Sequence, residues 1–205
     1  MLPRRSLVPL LAGLLASLLL FGACSGSNDP EPAAAAADRI AELEPGSMDL
    51  VRVDFCDVVP PLAVRAALRG PSTAKEGWGN GDRPPLDDSA TDLTHEFGCS
   101  WTRPGGFAAR AWVFARPVTA AFADRVISSA RARAGCTTTR GTDFGSPSMT
   151  QTCELPRNRG RVRHAGLFGD TWLTCEIAGP RGKAQPRNRA DAWCARVASA
   201  LDAQR

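Results

Sequence analysis

Hydrophobic and polar positions change period several times along this chain, and each change marks an expected element. After Arg4-Arg5, Leu7 to Phe21 is an almost unbroken apolar run. Ser25 to Ser47 has no aromatic residue and is rich in Ala, Pro and acid. It offers too little apolar surface to offset chain entropy, so it reads as a flexible tether. Val51 and Val53 alternate with Arg52 and Asp54, a short extended lead into Phe55-Cys56. Pro61 then opens a helix over 62–69, with Gly70 at its end. Residues 71–94 show little periodicity and are expected to form a long loop.

Strict alternation follows. His95, Phe97, Cys99 and Trp101 share one face of a strand, and Glu96, Gly98, Ser100 and Thr102 share the other. Pro104-Gly105-Gly106 turns the chain into a second strand over 108–115, apolar on both faces, which suggests a sheet covered on both sides. Pro117 starts a helix ending at Gly135, with Val118, Phe122, Val126 and Ala130 as its apolar stripe. Strands are expected over 149–154, 161–168 and 171–178, the last two joined by a tight turn at Gly169-Asp170. A final helix over 187–203 places Ala190, Trp193, Cys194, Val197 and Leu201 on one side. Leu173, Cys175 and Ile177 line one face of the preceding strand. The order is helix, two strands, helix, three strands, helix. Hairpin connections make the fold α+β, a mainly antiparallel sheet covered by helices and stabilised by disulfides.

The basic start, apolar run and small Gly22-Ala23 before Cys24 have the three-part layout of a secretory signal. The small residues followed by cysteine resemble a bacterial lipobox, in which the thiol receives a diacylglycerol before cleavage. The expected organisation is a lipoprotein signal peptide over 1–23, a tether over 24–48 and one domain over 49–205. Cys24 is the lipidation site, and the domain is held on the outer face of the cell membrane.

An exported chain permits disulfides, and six cysteines remain after Cys24. Facing positions support Cys175–Cys194. Sequence proximity alone orders the other four as Cys56–Cys99 and Cys136–Cys153, so their alternative pairings stay open. No Cys-x-x-Cys occurs, and His95 and His164 lie far from any cysteine pair, so neither a metal nor a cofactor is expected. Arginine outnumbers lysine 23 to 2, a bias that suggests a GC-rich, actinobacterial genome. Residues 24–100 hold 6 basic against 14 acidic residues, and residues 101–205 hold 17 against 7. The near-neutral sum and the export signal argue against a nucleic-acid binder. Opposite charges from the two halves are expected to meet on one folded surface.

Catalytic motifs are scarce: there is neither Gly-x-Ser-x-Gly nor His-Glu-x-x-His. His95 and Glu96 are neighbours on a strand and point to opposite faces, so they would not act together. His95 is expected at the edge of the core and His164 on a solvated strand. Gly77-Trp78-Gly79-Asn80-Gly81 lacks the strand, helix and Lys-Ser/Thr of a phosphate loop. Asp82, Asp87, Asp88 and Asp92 match no ordered calcium spacing and read as a solvated acidic loop. Trp101, Trp112, Trp172 and Trp193 fall in regular elements as core or cleft walls, whereas Trp78 falls in the loop and is a candidate ligand contact. Arg159, Arg161 and Arg163 alternate on a strand without nearby acids and form the candidate anion-binding set, with Arg181, Lys183, Arg187 and Arg189 near the last helix.

Cys56-Asp57-Val58-Val59-Pro60 before a helix, Cys99-Ser100-Trp101 on a strand, and the later cysteines resemble actinobacterial secreted lipoproteins with domain of unknown function 3558. The resemblance covers roughly residues 50–203. It implies a small envelope domain, often a helix-covered antiparallel sheet, with no established activity. The chain also resembles extracellular sensor domains of mycobacterial-type kinases but carries no kinase segment. The leading expectation is a lipid-anchored, non-enzymatic envelope domain that binds an anionic ligand or an envelope protein. The alternatives are a small hydrolase or transferase built from the acidic loop and His95, and a structural accessory lipoprotein.

Overall fold

The computed structural model describes residues 37–83, 93–181 and 186–203. Cys24, the expected signal segment, most of the expected tether and Asp87, Asp88 and Asp92 lie outside the described residues. Among those described, the elements are α1 (Pro61–Leu68), β1 (Ala74–Trp78), β2 (Glu96–Arg103), β3 (Phe107–Phe114), α2 (Ala120–Arg131), β4 (Cys136–Arg140), β5 (Ser148–Leu155), β6 (Arg159–Phe168), β7 (Thr171–Pro180) and α3 (Pro186–Leu201). The strands form one antiparallel sheet in the order β1-β2-β3-β7-β6-β5-β4. The fold is therefore α+β, as the alternation implies. No helix among the described residues is long and apolar enough to cross a membrane.

The turns hold the register. Gly105 and Gly106 both adopt positive φ between β2 and β3, and Gly169 does so between β6 and β7. Arg157 and Asn158 take left-handed conformations between β5 and β6, which suits a tight hairpin turn. α1 begins at Pro61 and ends where Arg69 turns left-handed. Arg103 of β2 donates from Nη1 to the carbonyls of Leu68 and Arg69 at 3.0 and 2.8 Å, partnering carbonyls that the helix end leaves free.

Alternation splits the sheet into two unlike faces. Cys99 and Trp101, then Ala109, Ala111 and Val113, then Leu173, Cys175 and Ile177 are buried against α1 and α3. Trp193 of α3 meets Trp101 edge-on at 5.4 Å and donates its indole N–H to the Arg110 carbonyl. On the other face, α2 covers only the side nearer β4. Ala123 and Ile127 pack there on Met149, Ala165, Leu167 and Trp172.

Four expectations are corrected. Ile40, Leu43 and Met48 are buried in the larger core, so the domain starts by Ala37 rather than at 49. The fully buried residues of α2 are Ala123 and Ile127; Val118, Val126 and Ala130 of the expected stripe pack in the same cluster, while Phe122 is 41 % exposed. A small residue at 123 lets the helix lie close to the sheet, and Phe122 packs at the rim against Phe114. The unperiodic stretch contains a strand, β1, and a further unexpected strand, β4, forms the opposite edge. The lead over 51–56 is no strand, and only Leu50 bridges to Asp202.

All three cysteine pairs are joined as Cys56–Cys99, Cys136–Cys153 and Cys175–Cys194. Cys136 and Cys153 are direct cross-strand partners, and Cys175–Cys194 ties the central strand to α3. That last bond sits in the core, with both residues fully buried. Replacing Cys175 and Cys194 by Ala should cost about 3 kcal/mol through the freed loop, plus the loss of core volume. Urea unfolding of the double variant under non-reducing conditions measures it.

Candidate functional site

Beyond the end of α2, the second face of the sheet lies open and forms a polar trough of about 260 Å³. The strand register explains its lining. One row crosses five strands, placing Glu76, Ser100, Arg110, Glu176 and Arg163 side by side from β1 to β6. The next row carries Trp78, Gly98 and Trp112. Arg161 stands on β6 on the other side of the first row, away from the tryptophans, and Arg133 reaches in from the segment after α2.

Glu176 is the pivot. Its side chain is only 4 % exposed, and Arg163 donates to its Oε2 from Nε at 2.9 Å and from Nη2 at 2.7 Å. Arg161 Nε lies 3.6 Å from the same oxygen, and Arg110 Nη1 lies 3.7 Å from Oε1. Arg110 Nε also donates to Ser100 Oγ at 3.3 Å. One carboxylate thus faces three guanidiniums, and Arg133 adds a fourth positive charge. Burial holds Arg161 below the usual guanidinium range; Glu176 opposes that effect, and repulsion from Arg163, Arg133 and Arg110 adds to it. An arginine so placed stays charged and gains from any additional anion.

The opposite side of the trough is acidic and aromatic. The Trp78 indole lies flat on Gly98, where an added Cβ would fall 2.2 Å from the ring. Only glycine leaves that space. Trp78 Nε1 donates to Glu96 Oε1 at 3.2 Å. Burial pushes the Glu96 carboxyl up, against the pull of the Trp78 hydrogen bond and the Arg163 charge. Trp112 is half-buried beside it, with the Arg163 guanidinium 5.1 Å above the ring.

The Glu96 shift has a sign that can be tested. Its folded pKa is above its unfolded value, so the ionised carboxylate costs stability at neutral pH. That cost disappears as pH falls through the folded pKa. Glu96→Gln keeps an acceptor for Trp78 and should raise the melting temperature at pH 7, with the gain shrinking toward acid. Thermal scans between pH 3 and pH 8 check this.

The candidate residues sort as follows. Arg161 and Arg163 line the trough, but Arg163 is already bonded to Glu176, so the expected absence of nearby acids is corrected. Arg159 points along the same face yet donates from Nη2 to the Gly106 carbonyl at the β2–β3 turn, outside the trough. Arg181 is paired with Glu154, and Lys183 lies outside the described residues. Trp78 is on a strand rather than in a loop, and it walls the trough. Trp112, expected as a core or cleft wall, lines the trough as well, whereas Arg110, Arg133, Glu76 and Glu176 were not singled out by sequence.

Both histidines depart from expectation. His95 is exposed, precedes β2 and lines an adjoining apolar groove with Glu96, Phe114, Val118 and Phe122, so Glu96 borders both this groove and the trough. His164 is buried on the α3 side, 3.0 Å from Thr150 Oγ1 through Nδ1 and 2.7 Å from Asp191 Oδ1 through Nε2. Asp82 accepts the Gly79 N–H at 2.6 Å and shapes the turn after β1. Among the described residues, the one cluster with metal-ligand spacing is Asp54, Cys56 and Cys99, whose two sulfurs are consumed in a disulfide. Opposite charges from the two halves meet on one surface in the trough, where Glu76 and Glu96 lie with Arg110, Arg133, Arg161 and Arg163, and they pair directly at Arg52–Asp170 and Arg196–Asp38. Compared with known proteins, the sequence matches no family model and no curated protein.

Proposed function

We propose that this protein is a lipid-anchored domain on the outer face of the cell membrane that binds a small anionic ligand in the trough without turning it over. The observation that carries this reading is the charge imbalance on the β6 side, where Arg110, Arg133, Arg161 and Arg163 surround the single carboxylate of Glu176. Guanidiniums held apart by strand spacing cannot all satisfy one carboxylate, and phosphate or carboxylate is the group whose geometry fits their remaining donors. Half-buried Trp112 and Trp78 provide a flat apolar floor for the body of such a ligand. Binding rather than chemistry is supported by the state of the lining groups. Glu176 is bonded to arginine, Glu96 to an indole and Ser100 to Arg110, and no histidine lines the trough. The lipid anchor rests on Gly22-Ala23-Cys24 after the apolar run, and the resemblance to secreted lipoproteins supports the same compartment.

Inorganic phosphate is the simplest probe. Its titration should change tryptophan emission in the wild type, because Trp112 sits under Arg163. The double variant Arg110→Gln/Arg161→Gln leaves the Arg163–Glu176 pair in place and should weaken binding at least about tenfold. Equal phosphate affinity in a folded double variant would remove this function from the trough.

A further inference from the structure

The trough is polarised, not merely basic. Its guanidiniums stand on β3, β6 and the segment after α2, whereas Glu76 and Glu96 stand on β1 and β2, on either side of Trp78. Glu76 has no ion-pair partner among the described residues. Glu96 is half-buried, and its named partner is the neutral indole of Trp78 through Oε1. A partly desolvated carboxylate facing a neutral donor gains from a cation, and its raised pKa agrees with that need. The Trp78–Gly98–Trp112 row separates Glu96 from the row that holds Arg110 and Arg163, and Glu76 stands at the far end of that second row with Ser100 between it and Arg110.

Resting on the anion-binding reading above, we propose that the ligand is a zwitterion, namely a short peptide with free ends, whose ammonium group is held at Glu96 and whose carboxylate enters the arginine cluster. The length of the trough fits this chemistry. Glu96 on β2 and Arg161 on β6 are three strands apart and, by register, six residues apart along them, roughly 14 Å across and roughly 20 Å along, or roughly 25 Å between backbones. Side chains reach inward from both ends, and an extended tripeptide of roughly 10 Å spans what is left. Glu76 adds to the negative field at the ammonium end. The middle residue lies over Trp112 and Trp78, which favour a ring or another apolar side chain. A simple anion would use only half of this lining and would meet repulsion from Glu96 and Glu76.

The peptide Ala-Phe-Ala, its N-acetylated form and its C-terminal amide, titrated by calorimetry into wild type and Glu96→Gln, separate the two ends. The proposal expects the free peptide to bind at least about tenfold more tightly than the N-acetylated form. Glu96→Gln should erase that difference while staying folded, since glutamine keeps the acceptor for Trp78. Equal affinity of the free and N-acetylated peptides would overturn the zwitterion proposal; loss of binding on C-terminal amidation would then leave the anion-binding reading standing. Undiminished binding of the amide would overturn both. Binding of phosphate with no binding of any peptide would overturn the zwitterion alone.

Discussion

A Cys24→Ser variant should lose its lipid completely. In cells fed a fatty-acid probe, the wild type should be labelled and found with the membrane, and the variant should be unlabelled. The reason lies in chemistry: a serine hydroxyl cannot replace the thiol that accepts the diacylglycerol. Because the diacylglycerol is added before cleavage, the unmodified variant should also keep residues 1–23, and a larger mass than the wild-type chain checks the same point. Equal labelling of both forms would reduce the first 23 residues to an ordinary export signal. From Ala37 onward the chain is bound into the core through Ile40 and Leu43.

Removing Glu176 should be the most damaging single change in the trough. Glu176→Ala strips the counter-charge from Arg161 and Arg163, whose side chains are only 13 % and 16 % exposed. Breaking a buried ion pair by deleting one partner costs roughly 3–5 kcal/mol, and the partial exposure of the arginines places this case near the lower end. The space left behind faces four guanidiniums, so added phosphate should bind the variant more tightly than the wild type and recover part of the lost stability. Urea unfolding with and without phosphate measures both effects. An Arg163→Gln variant should be milder, because Glu176 keeps Arg161 and Arg110 nearby.

Much of the sheet was legible because alternation and turn residues are local signals. The faces of β2, the glycine turns and the meeting of Cys175 with Cys194 all follow from period-two and helical spacing. The trough could also have been found. A two-residue turn at Gly169-Asp170 sets Phe168 opposite Thr171, and counting back along the hairpin sets Arg163 opposite Glu176. What counting along one hairpin cannot give is Arg110, which joins the row only because β3 pairs with β7. β1 escaped for a different reason. Ala74 to Gly77 are exposed, and the strand exists by pairing with β2 rather than by an apolar pattern of its own. His164 was misplaced because Arg161 and Arg163 flank it in sequence. Alternation sends those arginines to one face and the histidine to the other, between Thr150 and Asp191.

The arginine cluster is the proposed anion seat, and its guanidinium protons report on binding there directly. In a heteronuclear NMR titration with inorganic phosphate at low salt, the Nε–Hε signals of Arg110, Arg133 and Arg161 should shift together with one affinity. The indole signal of Trp78 should follow, while Arg65 and Arg125, outside the trough, should not move. Raising the salt should weaken the response, because screening acts over about 8 Å at physiological ionic strength. Signals that stay fixed, or shifts spread evenly over all exposed arginines, would contradict the claim that this trough is a binding site.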